Sequence, residues 1–246
     1  MSSDILTCLE LDKELFSSKV IVAKEINGCD SSFITSCVLG HCVKNKKAVF
    51  VILTHNSFMH YQNIGLKMNY NLQKSVDSGF VQFYNAGNEI LDKTLANEEL
   101  LLQDLILKIE KEIRSMQEKH GMVNVILEGV SHLFDLQFTL KDVNTICKVI
   151  IDMIREFDNS FFLCHCNVAN ESDVTHILAN LLSHKSNTIV EVESLSSGLS
   201  AEVSGHVTIK HPTQKFEHLF TLEQKSYQYL FKLFDRGVKL FAPGTI

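Results

Sequence analysis

The chain has 246 residues, 45% of them hydrophobic and 21% charged, with a formal net charge of −6. A chain of this size and apolar content can bury roughly three quarters of its unfolded surface, which excludes a disordered segment or a disulfide-stapled miniature. The acidic balance disfavours unaided nucleic-acid binding, which rests on many Lys and Arg contacts to phosphate.

No apolar run approaches the ~18 residues of a membrane helix. Met1–Phe16 is mixed and acidic, unlike a secretory signal. The expectation is a soluble protein of the cytoplasm, with the nucleus as a second location. Seven cysteines (Cys8, Cys29, Cys37, Cys42, Cys147, Cys164 and Cys166) sit mostly in apolar stretches. An odd number in that setting reads as buried free thiols of a reducing compartment. The prolines are Pro212 and Pro243 alone, with no Pro- or Gly-rich linker. One domain is expected over 1–246, with 1–16 as an N-terminal extension.

Residues 19–26 (KVIVAKEI) predict a first strand, and Asn27 to Ser32 a loop. Phe33 to Lys44 carries apolar residues at helical spacing. Residues 48–53 (AVFVIL) are continuously apolar, as suits a parallel strand covered on both faces. A helix is expected over 58–75, broken by Gly79, and a third strand over 80–84. Asn97 is expected to cap a helix carrying Leu101, Leu105, Ile109, Ile113 and Met116 on one face, closed by Gly121. A fourth strand follows at 122–127, a helix at about 142–157 and a fifth strand at 161–166. Ser172 is expected to cap a helix through Leu182. Residues 188–192, 206–210, 226–233 and 237–241 read as further strands.

Strands alternating with helices imply right-handed crossovers and a mostly parallel central sheet, and the closing strands imply antiparallel additions at one edge. The expected fold class is α/β, a RecA-like three-layer domain. That layout by itself says little about function.

In such a fold, phosphates bind where the first strand turns into its helix, on backbone N–H groups and the helix dipole. The expected pattern is G-x-x-x-x-G-K-[ST]. Here the stretch reads Gly28-Cys29-Asp30-Ser31-Ser32-Phe33-Ile34-Thr35. Gly28 and Thr35 fall in register, but Phe33 replaces the second glycine and Ile34 the lysine. The lost lysine removes the cation on the outer phosphates, Phe33 adds bulk, and Asp30 adds a negative charge. Glu128, at the end of the fourth strand, stands where an active NTPase places its magnesium-supporting aspartate. It is read as a degenerate acid without a catalytic role. No catalytic residue, cofactor or metal is assigned.

Cys164-His165-Cys166 lies within a strand, so the two cysteines share one face and His165 takes the other. That spacing is wrong for tetrahedral zinc, which favours turns and C-x₂₋₄-C. His55, His60 and His184 lack a partnered nucleophile, and no G-x-S-x-G elbow supports a hydrolase. Lys44, Lys46 and Lys47 read as a solvated turn, with a nucleic-acid contact as the minor alternative. The loops at His55–His60 and Asn85–Asn88 face the strand ends where ligands collect, and are candidates for subunit or RNA contacts.

Three stretches in order carry a resemblance. The first is Ser57-Phe58-Met59-His60-Tyr61-Gln62-Asn63-Ile64-Gly65-Leu66-Lys67. The second runs from Leu182-Ser183-His184-Lys185 through Leu195-Ser196-Ser197-Gly198 to Val203-Ser204-Gly205-His206-Val207-Thr208-Ile209. The third is Tyr227-Gln228-Tyr229, then Val238-Lys239-Leu240-Phe241-Ala242-Pro243-Gly244. Together they resemble the Elongator complex protein 6 family over about 19–244. The resemblance implies a RecA-like subunit without a phosphate loop. It also implies a hexameric ring with two related subunits, Elongator complex proteins 4 and 5, that binds tRNA, releases it in response to ATP, and serves wobble-uridine modification. The family often carries acidic residues at the end of the fourth strand, where in this chain Gly129 follows Glu128, and a lysine in the tail where this chain has Pro243. The alternatives are a nucleotide-binding ATPase with a degenerate loop and a DNA-recombination paralogue.

Overall fold

The computed structural model describes residues 3–12, 19–98, 101–170, 172–195, 198, 200, 202–212 and 225–242. Its strands are β1 (Lys19–Ile26), β2 (Val49–Leu53), β3 (Val81–Asn85), β4 (Asn124–Glu128), β5 (Phe161–Val168), β6 (Thr188–Glu193), β7 (Gly205–His211), β8 (Lys225–Phe234) and β9 (Gly237–Phe241). They form one sheet in the order β3-β2-β4-β5-β1-β6-β7-β8-β9. The pairs from β3 to β6 are parallel, and those from β6 to β9 antiparallel. The mixed sheet expected from the sequence is therefore present.

The helices are α1 (Ser3–Cys8), α2 (Ser32–Lys44), α3 (Phe58–Lys67), α4 (Leu72–Asp77), α5 (Ala86–Leu95), α6 (Leu102–His120), α7 (Leu140–Arg155) and α8 (Val174–Ser183). Alternation along each strand sends neighbouring residues to opposite faces. On β1, Val20 and Val22 join α5 to α8 in one core, while Ile21 and Ala23 join α1 to α4 in the other. The result is three layers, with both sheet faces covered. Ile5, Leu9 and Leu11, from the expected N-terminal extension, are fully buried in the second core; residues 13–16 lie outside the described residues.

The helix expected over 58–75 is two helices. Asn69 takes a left-handed φ of 61° between them, and the Asn71 side chain accepts from Lys74 N–H to start α4. The break inserts Tyr70 between Gly40 and Gly65, and its hydroxyl donates to the Ser36 carbonyl at 2.8 Å. Helix α5 was not foreseen, although Asn85 caps it by accepting from Asn88 N–H. Asn97 is not a cap: its φ is 54°, and α6 starts after Leu101 without a side-chain cap. Gly121 closes α6 at φ 77°, as expected. Asp173, not Ser172, caps α8. Thr139 and Asp142 form a capping box on α7. Ser196, Ser197, Pro243 and Gly244, cited for the family resemblance, lie outside the described residues.

Candidate functional site

β1 passes into α2 through Asn27 and Gly28, with left-handed φ of 52° and 69°. This turn presents backbone donors at the helix start, where a phosphate would bind. Here the protein's own carboxylates take them. Ser31 N–H donates to Glu25 Oε2 at 3.0 Å, and Ser31 Oγ to the same oxygen at 3.2 Å. Ser32 N–H donates to Asp30 Oδ1 at 2.9 Å.

The degenerate positions are arranged differently from the sequence expectation. Of Gly28, Phe33, Ile34 and Thr35, only Gly28 lines the cleft above the turn. Phe33 packs on the second core and stacks on Phe231, ring centroids 5.1 Å apart. Ile34 is fully buried in that core, and Thr35 is buried within α2. Their bulk therefore does not block a phosphate. The side chains that accept from the turn's donors are Glu25 and Asp30, and Glu25 was missed because it reads as an ordinary strand residue.

Glu128 ends β4 and is 1% exposed. Its Oε1 accepts from Asn56 Nδ2 at 2.6 Å, and its Oε2 from the N–H groups of Asn56 and His55 at 3.2 and 3.4 Å. Thr54 Oγ1 donates to the Glu128 carbonyl at 2.7 Å. The carboxylate ties down the loop after β2, which satisfies a buried charge that would otherwise be costly.

Cys164 and Cys166 share a face as expected, fully buried with sulfurs 4.0 Å apart. Burial pushes the Cys164 thiol well above its ordinary value. Among the described residues, no group of three or more His, Cys, Asp or Glu is placed to hold a metal ion. His165 takes the opposite face and forms the cleft floor. Its Nε2 lies 2.5 Å from Ser31 Oγ and 3.8 Å from Glu25 Oε2. Burial pushes its pKa down, against the pull of Glu128, Glu25 and Asp30. Strand alternation carried the signal for its position, but nothing in the sequence says what lies on that face.

The cleft, of about 340 Å³, opens at the carboxyl ends of β1, β2, β4 and β5, the ligand-collecting edge of such sheets. Three carboxylates (Glu25, Asp30 and Glu128) and three histidines (His55, His132 and His165) line it, and no Lys or Arg does among the described residues. His55 and His132 stack with centroids 4.0 Å apart. Of the loop candidates, His55 reaches the cleft; His60 lies in α3, edge-on to Tyr61. Asn85 and Asn88 form the α5 cap. The Lys44–Lys47 turn and His184 precede β2 and β6 and so lie at the opposite edge of the sheet.

Fold and cleft define a RecA-like domain whose phosphate turn is filled by its own acidic side chains. A KaiC-like protein from the hyperthermophilic archaeon Pyrococcus horikoshii superposes with a TM-score of 0.62 over 91% of this chain and 89% of its own, at 4% identity, a likeness of fold alone. The family described as Elongation complex protein 6 matches residues 4–233. Elongator complex protein 6 of Drosophila melanogaster is 26% identical over 100% of this chain and 98% of its own length. The Homo sapiens protein of that name is 25% identical over 87% of each. The chain belongs to the Elongator complex protein 6 family.

Proposed function

We propose that this chain is a non-catalytic subunit of the Elongator complex, a pseudo-ATPase that uses its RecA-like surfaces to bind neighbours. Its partners are Elongator complex proteins 4 and 5, two copies of the trio forming a hexameric ring. The ring binds tRNA and supports wobble-uridine modification in the cytoplasm, and in the nucleus where Elongator is present. Family membership supports the assembly reading. The observation that carries the pseudo-ATPase reading is the hydrogen bond from Ser31 N–H to Glu25. A triphosphate would have to displace that carboxylate and sit beside Asp30 and Glu128, and repulsion between like charges in a partly desolvated cleft opposes it.

The test has two arms. Calorimetric titration of the purified chain with magnesium ATP is expected to show no binding at millimolar nucleotide. Co-expression with the two RecA-like partners is expected to yield a stable hexamer. Saturable ATP binding would return the chain to the degenerate-ATPase reading. A monomer that ignores both partners, or one that binds DNA, would instead favour the recombination paralogue.

A further inference from the structure

The acidic cleft holds acceptors that nothing among the described residues fills. Glu25 has a side chain only 16% exposed, and its hydrogen bonds from Ser31 reach Oε2 alone. Asp30 uses Oδ1 for Ser32 N–H. On β5, two residues apart and so on one face, His165 and Asn167 both line the cleft. His165 is 3% exposed, and among the described residues its buried Nδ1 has no hydrogen-bond partner; neither has the buried Oδ1 of Asn167. When Ser31 Oγ–H serves Glu25, His165 donates from Nε2 to Ser31 Oγ, and Nδ1 is left as an empty acceptor. Buried polar atoms without partners are uncommon in native proteins, and two on one cleft wall point to a ligand supplied from outside.

The ligand's chemistry follows from the lining. The wall offers carboxylate, amide and imidazole acceptors and, among the described residues, no Lys or Arg, so the ligand is cationic and rich in donors. No three of these groups converge as metal ligands among the described residues. A planar guanidinium presents five N–H donors in a fixed fork, and suits acceptors spread along a strand and a turn better than a compact ammonium does. We infer that the cleft is a receptor for an arginine side chain carried by another protein chain, whose guanidinium enters between Glu25, Asp30 and Asn167 over His165. This deepens the assembly reading and rests on it for the source of the arginine: a cleft built for phosphate elsewhere in the fold class becomes a socket for a neighbour's cation.

The probe is the capped tripeptide acetyl-Gly-Arg-Gly-amide, titrated into the full chain carrying ¹⁵N-labelled histidine. The His165 imidazole resonances should shift saturably at ~mM peptide, and the citrulline peptide, isosteric but uncharged, should leave them in place. Glu25→Gln should weaken the response about tenfold, the size of a partly buried charge-assisted hydrogen bond. Asp30→Asn, at an exposed site, should weaken it severalfold and guards against misfolding of the first variant. Asn167→Asp should tighten it, which a merely structural role would not predict. An unchanged His165 signal with the arginine peptide, an equal response to citrulline, or manganous ion alone perturbing the signal at lower concentration would each overturn the inference. Lost arginine binding with co-purification of partners intact sinks this inference alone; retained arginine binding without co-purification sinks the assembly reading alone.

Discussion

Glu128 and His165 show how one residue's role depends on what the fold brings to it. Glu128 stands at the strand end where an acid was expected, yet loop donors hold both its oxygens. His165 lies 3.8 Å from Glu25, and burial lowers its pKa against the attraction of Glu128 and Glu25. Its lowered pKa ties stability to pH. Folded His165 binds a proton less readily than the unfolded chain does, so its contribution is full above the unfolded value and is lost as pH falls through the folded one. His41, half-buried and lowered mainly by desolvation, acts in the same direction. Urea unfolding should therefore show stability falling as pH drops from about 7.5 to about 5.5. His165→Gln should flatten part of that slope; an unchanged slope would show that His165 is not a contributor. At this scale the sequence was legible for identities and misleading for roles. Phe33 and Ile34 are not cleft residues, because α2 turns them into the core.

At the scale of elements, strands were easiest to read. Runs such as AVFVIL and FFLCHC are apolar because both sheet faces are covered, and that pattern survives any detail of packing. Helix starts were harder. Asn85, Asp173 and Thr139 cap real helices while Asn97 and Ser172 do not, and all five are good cap residues by type. The α3–α4 break depends on tertiary contact. Tyr70 is clamped from both sides: a Cβ at Gly40 would lie 2.7 Å from Cε1, and one at Gly65 would lie 2.7 Å from Cε2. The ring cannot yield to one without striking the other. Gly65→Ala gains about 1 kcal/mol of helix propensity but should still lower stability by about 1–2 kcal/mol net through overpacking. Denaturant midpoints of the variant and the wild type compare the two effects, and a stabilised Gly65→Ala would mean that Tyr70 moves freely.

For the whole molecule, the antiparallel strands β7 to β9 are joined to the parallel part by the β6–β7 ladder and by packing against α1 and α2. Phe231 is fully buried on β8 and stacks on Phe33 of α2, so a position read as a degenerate phosphate residue serves instead to dock the tail. Phe231→Ala should cost about 3–5 kcal/mol. Hydrogen exchange should then show β8 and β9 losing protection before β1 and β5; uniform loss would mean that the sheet unfolds as one unit.

By itself, the sequence determined the layered α/β class, the strand order along the chain and the family, because apolar periodicity and ordered motifs are local properties that folding leaves intact. Only the tertiary structure decided how the phosphate turn was closed. Glu25, Asp30, His165 and Asn167 come from β1, its turn and β5, separated by well over a hundred residues of chain. Their shared field exists only once parallel pairing sets those strands side by side, and no spacing in the sequence encodes that distance.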